Sequence, residues 1–181
     1  MTDTRKVRWS LWLPLGLFGL FVALVGWGLI APKDTSVPSR LVGKPLPQFA
    51  LPAGAEGRPG VARADFVTGK PKLLNIFASW CIPCAAEAPQ LEQLRAAGVE
   101  IDGIAVRDRK EDLATFLARY GNPYVRIGAD DLSTLQLAIG SSGVPETYVI
   151  DGKGTIRYQH IGDIRPEQVP MILDKLKEAA E

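Results

Sequence analysis

The chain has 181 residues and a formal net charge of +1, with 46% hydrophobic and 23% charged residues, which suits one globular domain plus a short appendage. Charge this close to zero argues against nucleic acid as the main partner. Two cysteines and a single histidine, His160, cannot supply the usual four Cys or His ligands of a zinc site within one chain, and no Walker-type phosphate loop is present.

Residues 1–10 are polar, with Arg5, Lys6 and Arg8, and Leu11 to Ala31 then runs 21 residues without a charge. At about 1.5 Å per residue that run covers the roughly 30 Å hydrocarbon core of a bilayer. Trp9, Trp12 and Trp27 lie toward its ends, and the early cations outnumber Lys33 beyond it. The expectation is a transmembrane anchor over 11–31, with 1–10 cytoplasmic and the remainder outside. A cleaved signal peptide is the competing reading, but the run is long for one and Gly28-Leu29-Ile30-Ala31-Pro32 offers no A-x-A pattern. Residues 32–40 read as a linker and 41–181 as the folded domain.

Within that domain, Gly43 to Leu51 is proline-interrupted and at best an edge strand, and residues 52–60 read as a loop. Val61 to Phe66 is expected as a second short strand before the Thr68-Gly69-Lys70-Pro71 turn. Lys72 to Ala78 reads as a buried strand, and a helix runs from about Ile82 to Ala97 with Pro89 inside it. Ile101 to Val106 is the next strand. Asp108-Arg109-Lys110-Glu111 has capping-box spacing and predicts a helix to about Tyr120, ended by Gly121-Asn122-Pro123. Asp131 to Ile139 is expected as a third helix. Thr147 to Ile150 and Thr155 to His160 flank Asp151-Gly152-Lys153-Gly154, a hairpin signal, and a last amphipathic helix starts near Pro166. The order predicts an α/β fold with helices on both faces of a central sheet.

Both cysteines lie in Ser79-Trp80-Cys81-Ile82-Pro83-Cys84, between a strand-like run and a helix-compatible stretch. Two thiols with two residues between them close or open a small disulfide ring, and a strand-to-helix turn is the context a redox pair requires. Cys81 would sit at the first helical turn, where free N–H groups and the macrodipole favour a thiolate and lower its pKa from about 8.5 to between about 3.5 and 7.5. Cys84, more covered, would resolve the mixed disulfide formed at Cys81. A structural disulfide, or half of a metal site shared between two chains, is the alternative. Glu87, three residues after Cys84, shares its helical face and would accept a proton from the resolving thiol, or be an ordinary solvated glutamate. Trp80 is expected beside Cys81 or as a plain core aromatic. His160, Tyr148 and Tyr158 read as structural.

Trp80-Cys81-Ile82-Pro83-Cys84 with Pro89 resembles the thioredoxin-superfamily active site. Gly143-Val144-Pro145-Glu146-Thr147 and the Tyr148 to Gly162 segment, with Leu41-Val42-Gly43-Lys44-Pro45 and Gly121-Asn122-Pro123-Tyr124, are similar to the CcmG/DsbE family of bacterial cytochrome c maturation. The resemblance implies a thioredoxin-like fold, a central mixed β-sheet with helices on both faces, carrying an N-terminal β extension and preceded by one transmembrane helix. It implies a cis bond before Pro145 and places Glu87 and Glu146 near the active site, Glu146 on an acidic rim or in solvent. It further implies a redox-active Cys81–Cys84 disulfide with no cofactor or metal, in a single-span protein of the bacterial inner membrane whose catalytic domain is periplasmic. The expected substrate is apocytochrome c or a haem-ligation partner protein, and the expected electron donor a membrane thiol carrier. A general tethered oxidoreductase of other envelope proteins, or a binding module merely stapled by its disulfide, are the rival expectations.

Overall fold

A computed structural model describes residues 4–30 and 41–181, with side chains of the first helix described from Trp12 to Gly28. That helix, α1, spans Thr4–Ile30 with Pro14 inside it. It begins ahead of the apolar run, so residues 4–10 are helical. Among the described residues no helix is long and apolar enough to cross a membrane. The expected 32–40 linker lies outside the described residues.

In residues 41–181 the elements run β1 (Ala50–Leu51), β2 (Val61–Ala62), a 3-10 turn (Arg63–Phe66), β3 (Lys72–Phe77), α2 (Ile82–Ala96), β4 (Ile101–Val106), α3 (Lys110–Tyr120), β5 (Arg126–Asp130), α4 (Thr134–Ala138), β6 (Glu146–Ile150), β7 (Ile156–Ile161), a 3-10 turn (Pro166–Gln168) and α5 (Val169–Glu178). The main sheet has the order β5-β4-β3-β6-β7, with β3, β4 and β5 parallel and β6 and β7 antiparallel. β3 and β4 are buried along their whole length, as central strands covered on both faces must be. The β3-α2-β4 and β4-α3-β5 crossovers step the same way across the sheet. Right-handed crossovers then put both helices on one face. Accordingly Leu91 and Leu94 of α2, Leu113 and Phe116 of α3 and Ile172 and Leu176 of α5 share one core with Leu73 and Phe77. The opposite face packs Leu74, Ile76 and Ile104 under Leu135 of α4 and under Leu46, Val61 and Phe66 of the N-terminal extension.

Three expectations are corrected. The strand β5 is absent from the sequence reading because Arg126-Ile127-Gly128-Ala129-Asp130 carries one large apolar residue. Its glycine is dictated by tertiary packing, since a Cβ at Gly128 would meet Leu51 at 3.0 Å and Val61 at 3.2 Å. Of the expected 61–66 strand only Val61 and Ala62 pair, and Arg63–Phe66 turns into a 3-10 helix that buries Phe66. The expected 131–139 helix shortens to Thr134–Ala138, because Asp130 accepts from the Thr134 and Gln136 backbone N–H groups at 2.8 and 2.9 Å. The 151–154 hairpin forms as expected.

The N-terminal extension also completes the sheet. Gly43 N–H donates to the Ile156 carbonyl and Ile156 N–H to the Lys44 carbonyl, at the start of β7. On the far side Gly54 N–H donates to the Ile127 carbonyl, Ile127 N–H to Pro59, and Ala129 N–H to Pro52, along β5. One segment thus reaches from one outer strand to the other across the buried face.

Candidate active site

The apolar strand β3 carries the chain to the cysteine motif, and two loop contacts fix the residues just ahead of Cys81. Ser79 donates its backbone N–H and its hydroxyl to the two carboxylate oxygens of Asp108 at 2.5 and 2.6 Å. The Trp80 indole donates to the Arg107 carbonyl at 3.3 Å. Arg107 itself holds a left-handed backbone, φ 49°. Asp108 therefore does not cap α3: the N-cap is Arg109, without a side-chain bond, and the expected capping box is replaced by this clamp on the loop before the first cysteine. Of the two expectations for Trp80, the plain core aromatic is excluded, since the side chain is 59% exposed.

Cys81 is the N-cap of α2, and its Sγ accepts the Cys84 backbone N–H at 3.2 Å. A helix N-terminus aimed at sulfur stabilises negative charge there, which is what a leaving and attacking thiolate needs. Pro83 costs no hydrogen bond in this first turn. Cys81 and Cys84 are joined as a disulfide with Cα atoms 5.3 Å apart. Both are buried, Cys84 slightly more than Cys81, and Ile82 between them is 84% exposed.

The Val144–Pro145 bond is cis, as the resemblance implies. In the β3–β6 register Ile76 pairs with Glu146, so Pro145 lies just past the ladder at the end where β3 runs toward the cysteines. Glu146 is not on a rim or in solvent. It is 1% exposed and accepts from Ser142 N–H and Oγ, Tyr148 OH and Gln159 Nε2 at 2.8, 2.5, 2.7 and 3.0 Å. Its neighbourhood is a saturated polar knot in which the buried Tyr148 hydroxyl is one donor.

Glu87 is likewise buried, one turn beyond Cys84 on α2. Its Oε1 accepts from Asn75 Nδ2 and its Oε2 from the Ile164 backbone N–H, each at 3.0 Å. Burial pushes its pKa up to about 7, outweighing those two donors. A carboxyl titrating there exchanges protons at physiological pH. His160 is buried with Nε2 3.2 Å from the Asp163 carbonyl, a structural setting. Among the described residues no group of three or more His, Cys, Asp or Glu is placed to hold a metal.

The sequence reading missed Asn75, Tyr124, Thr147, Arg107 and the roles of Ser142 and Gln159. Asn75 left a signal, an amide inside the otherwise apolar run from Leu73 to Ala78, which must be paired where it is buried. The others become visible only when distant segments meet.

The parallel-antiparallel sheet and the cysteine pair capping α2 define a thioredoxin-like thiol-disulfide oxidoreductase. Comparison with known proteins takes this further. The Redoxin family matches residues 41–176. The chain is 39% identical over 188 residues to the thiol:disulfide interchange protein DsbE of Escherichia coli K12, covering 98% of this chain and 99% of that protein. It is 37% identical over 167 residues to the thiol:disulfide interchange protein HelX of Rhodobacter capsulatus, covering 92% and 94%. A solved structure described as a putative DsbE from Chlorobium tepidum superposes with a TM-score of 0.67 at 25% identity, covering 81% of this chain and all of that one. A secreted Mycobacterium tuberculosis disulfide oxidoreductase shares the fold at a TM-score of 0.60, 24% identity, covering 72% of this chain and 96% of that one. The chain belongs to the Redoxin family and, within it, to the DsbE/CcmG/HelX group of thiol:disulfide interchange proteins.

Proposed function

We propose that the protein is a membrane-tethered periplasmic reductase that opens the disulfide of apocytochrome c, or of a haem-ligation partner, before haem attachment. The observation that carries the chemistry is a disulfide whose first sulfur caps a helix, with a buried carboxyl one turn beyond the second. In the reduced protein the Cys81 thiolate attacks one sulfur of the substrate disulfide, forming a mixed disulfide and releasing a substrate thiolate that takes up a proton. Cys84 then gives its proton to Glu87 and attacks Cys81 Sγ, closing the protein disulfide and expelling the second substrate thiolate, which is protonated in turn. Two electrons and two protons pass to the substrate. A dithiol carrier in the membrane returns them.

The tether in this reading is the uncharged 11–31 run, which would extend about 30 Å if helical at about 1.5 Å per residue. The basic residues Arg5, Lys6 and Arg8 favour a cytoplasmic N-terminus. Mass spectrometry of the mature protein tests this: a chain beginning near Pro32 overturns the tether.

The substrate is tested by trapping. With Cys84→Ser, the mixed disulfide on Cys81 cannot be resolved, and captured proteins are identified by mass spectrometry. Apocytochromes c or haem-ligation proteins are the expected catch, and a broad set of unrelated envelope proteins would replace this reading with a general oxidoreductase.

A further inference from the structure

We propose that Asn75 and Tyr124 are a positioning pair that holds the Glu87 carboxylate oriented toward its proton-accepting role; the inference rests on that role as proposed above. Asn75 sits at the middle of β3 and is 0% exposed. Its Nδ2 donates to Glu87 Oε1 and to Thr147 Oγ1, both at 3.0 Å, so both amide hydrogens are used. Its Oδ1 accepts from the Tyr124 hydroxyl at 2.7 Å. Turned over, the amide would set oxygen against the Glu87 carboxylate, acceptor to acceptor. The carboxylate therefore selects this orientation, and the phenol supplies the donor that the inward amide oxygen needs.

Tyr124 is placed for this by two strands, β3 and β4. Its ring stacks on Phe77 with centroids 4.5 Å apart. It lies over Gly103, the residue of β4 that pairs with Asn75, where a Cβ would come within 2.8 Å of both rings. Burial, and then the Glu87 charge, hold the phenol's pKa well above its ordinary value, so it remains a donor across the working pH range.

Both Glu87 oxygens receive an N–H donor, so protonating either one weakens a bond. Burial acts in the opposite sense, and Asp163 adds a like charge. The titratable groups around Glu87 are Cys81 and Cys84 on its own helix, Asp163 after β7, and Tyr124 ahead of β5. Asn75 is neutral, so it tilts the balance toward the carboxylate without adding a charge of its own.

The test is a 13C titration of Glu87 in the oxidised full-length protein in detergent micelles, where the cysteines do not titrate, assigned against Glu87→Gln. Asn75→Leu keeps the volume and removes the donor. It is expected to raise the Glu87 midpoint by about one pH unit, the size of one hydrogen bond to a charged group. Resolution of a mixed disulfide at pH 7 should fall about fivefold and recover as the pH is raised. Tyr124→Phe should move the midpoint in the same direction by less. In the Glu87→Gln background neither variant should slow resolution further. An unmoved midpoint in folded Asn75→Leu overturns the pairing. If that variant does not fold, an unmoved midpoint in Tyr124→Phe does the same. A midpoint that moves while Glu87→Gln leaves resolution unchanged supports the pairing and removes Glu87 from the proposed mechanism.

Discussion

A carboxylate that accepts two hydrogen bonds from one serine does more than fill a surface. Asp108 holds Ser79 by N–H and hydroxyl, and the adjacent Arg107 carbonyl holds the Trp80 indole, so the two residues before Cys81 are bound to the loop after β4. Asp108→Ala should cost about 2 kcal/mol, the scale of hydrogen bonds to a charged group, read by chemical denaturation. With Trp9, Trp12 and Trp27 replaced by Phe, the fluorescence anisotropy of Trp80 should fall in the same variant, and unchanged anisotropy would show that the indole is held by other contacts. Asp108 also shows why some of the site was illegible in sequence. Its spacing to Glu111 fits a cap, but its partner lies 29 residues upstream, and nothing local announces that. Glu146 was misplaced for the same reason, since its donors come from a loop and two strands. Cys81, Cys84 and Glu87 were legible because their relation is a helical spacing, and Pro145 because it sits in a distinctive run.

At the scale of elements, the long periodic and apolar segments β3, α2, β4 and α3 were all readable, while β5 was not. A strand of Arg-Ile-Gly-Ala-Asp has little intrinsic preference and is held by a neighbour and by the extension packed on its glycine. Gly103 in β4 is the parallel case in the core, giving way to Phe77 and Tyr124. Gly103→Ala forces a methyl into those rings, and overpacking of this kind costs about 1–3 kcal/mol. Urea denaturation should show that loss with little change in slope. A cost near zero would mean that the Tyr124 ring shifts freely.

For the molecule as a whole, two buried carboxyls set the pH dependence of stability. Glu87 is raised from 4.5 to about 7 and Asp102 from 3.8 to about 6, both chiefly by burial. Each binds its proton more tightly folded than unfolded, so the unfolded state carries fewer protons in those windows and stability falls as pH rises. Their stabilising contribution is complete below about pH 4 and lost by about pH 7, on the order of 3 kcal/mol for Glu87 alone. Glu100, held below its ordinary value by Lys72, acts in the opposite sense at the acid end. Denaturation of the oxidised full-length protein should therefore give a higher free energy at pH 5 than at pH 8. Glu87→Gln should flatten the part of that curve between about pH 5 and 7, and a curve of unchanged shape would mean that the carboxyl titrates at its ordinary value.

The segment that bonds to β7 at Gly43 and Lys44 and to β5 at Pro52, Gly54 and Pro59 also governs how copies of this chain meet. An outer strand with open N–H and C=O groups is a template on which another chain can add a strand. Here part of that template is already occupied on both sides of the sheet by the protein's own backbone. Crowding many copies together then leaves less open backbone on these borders for a neighbour to pair with.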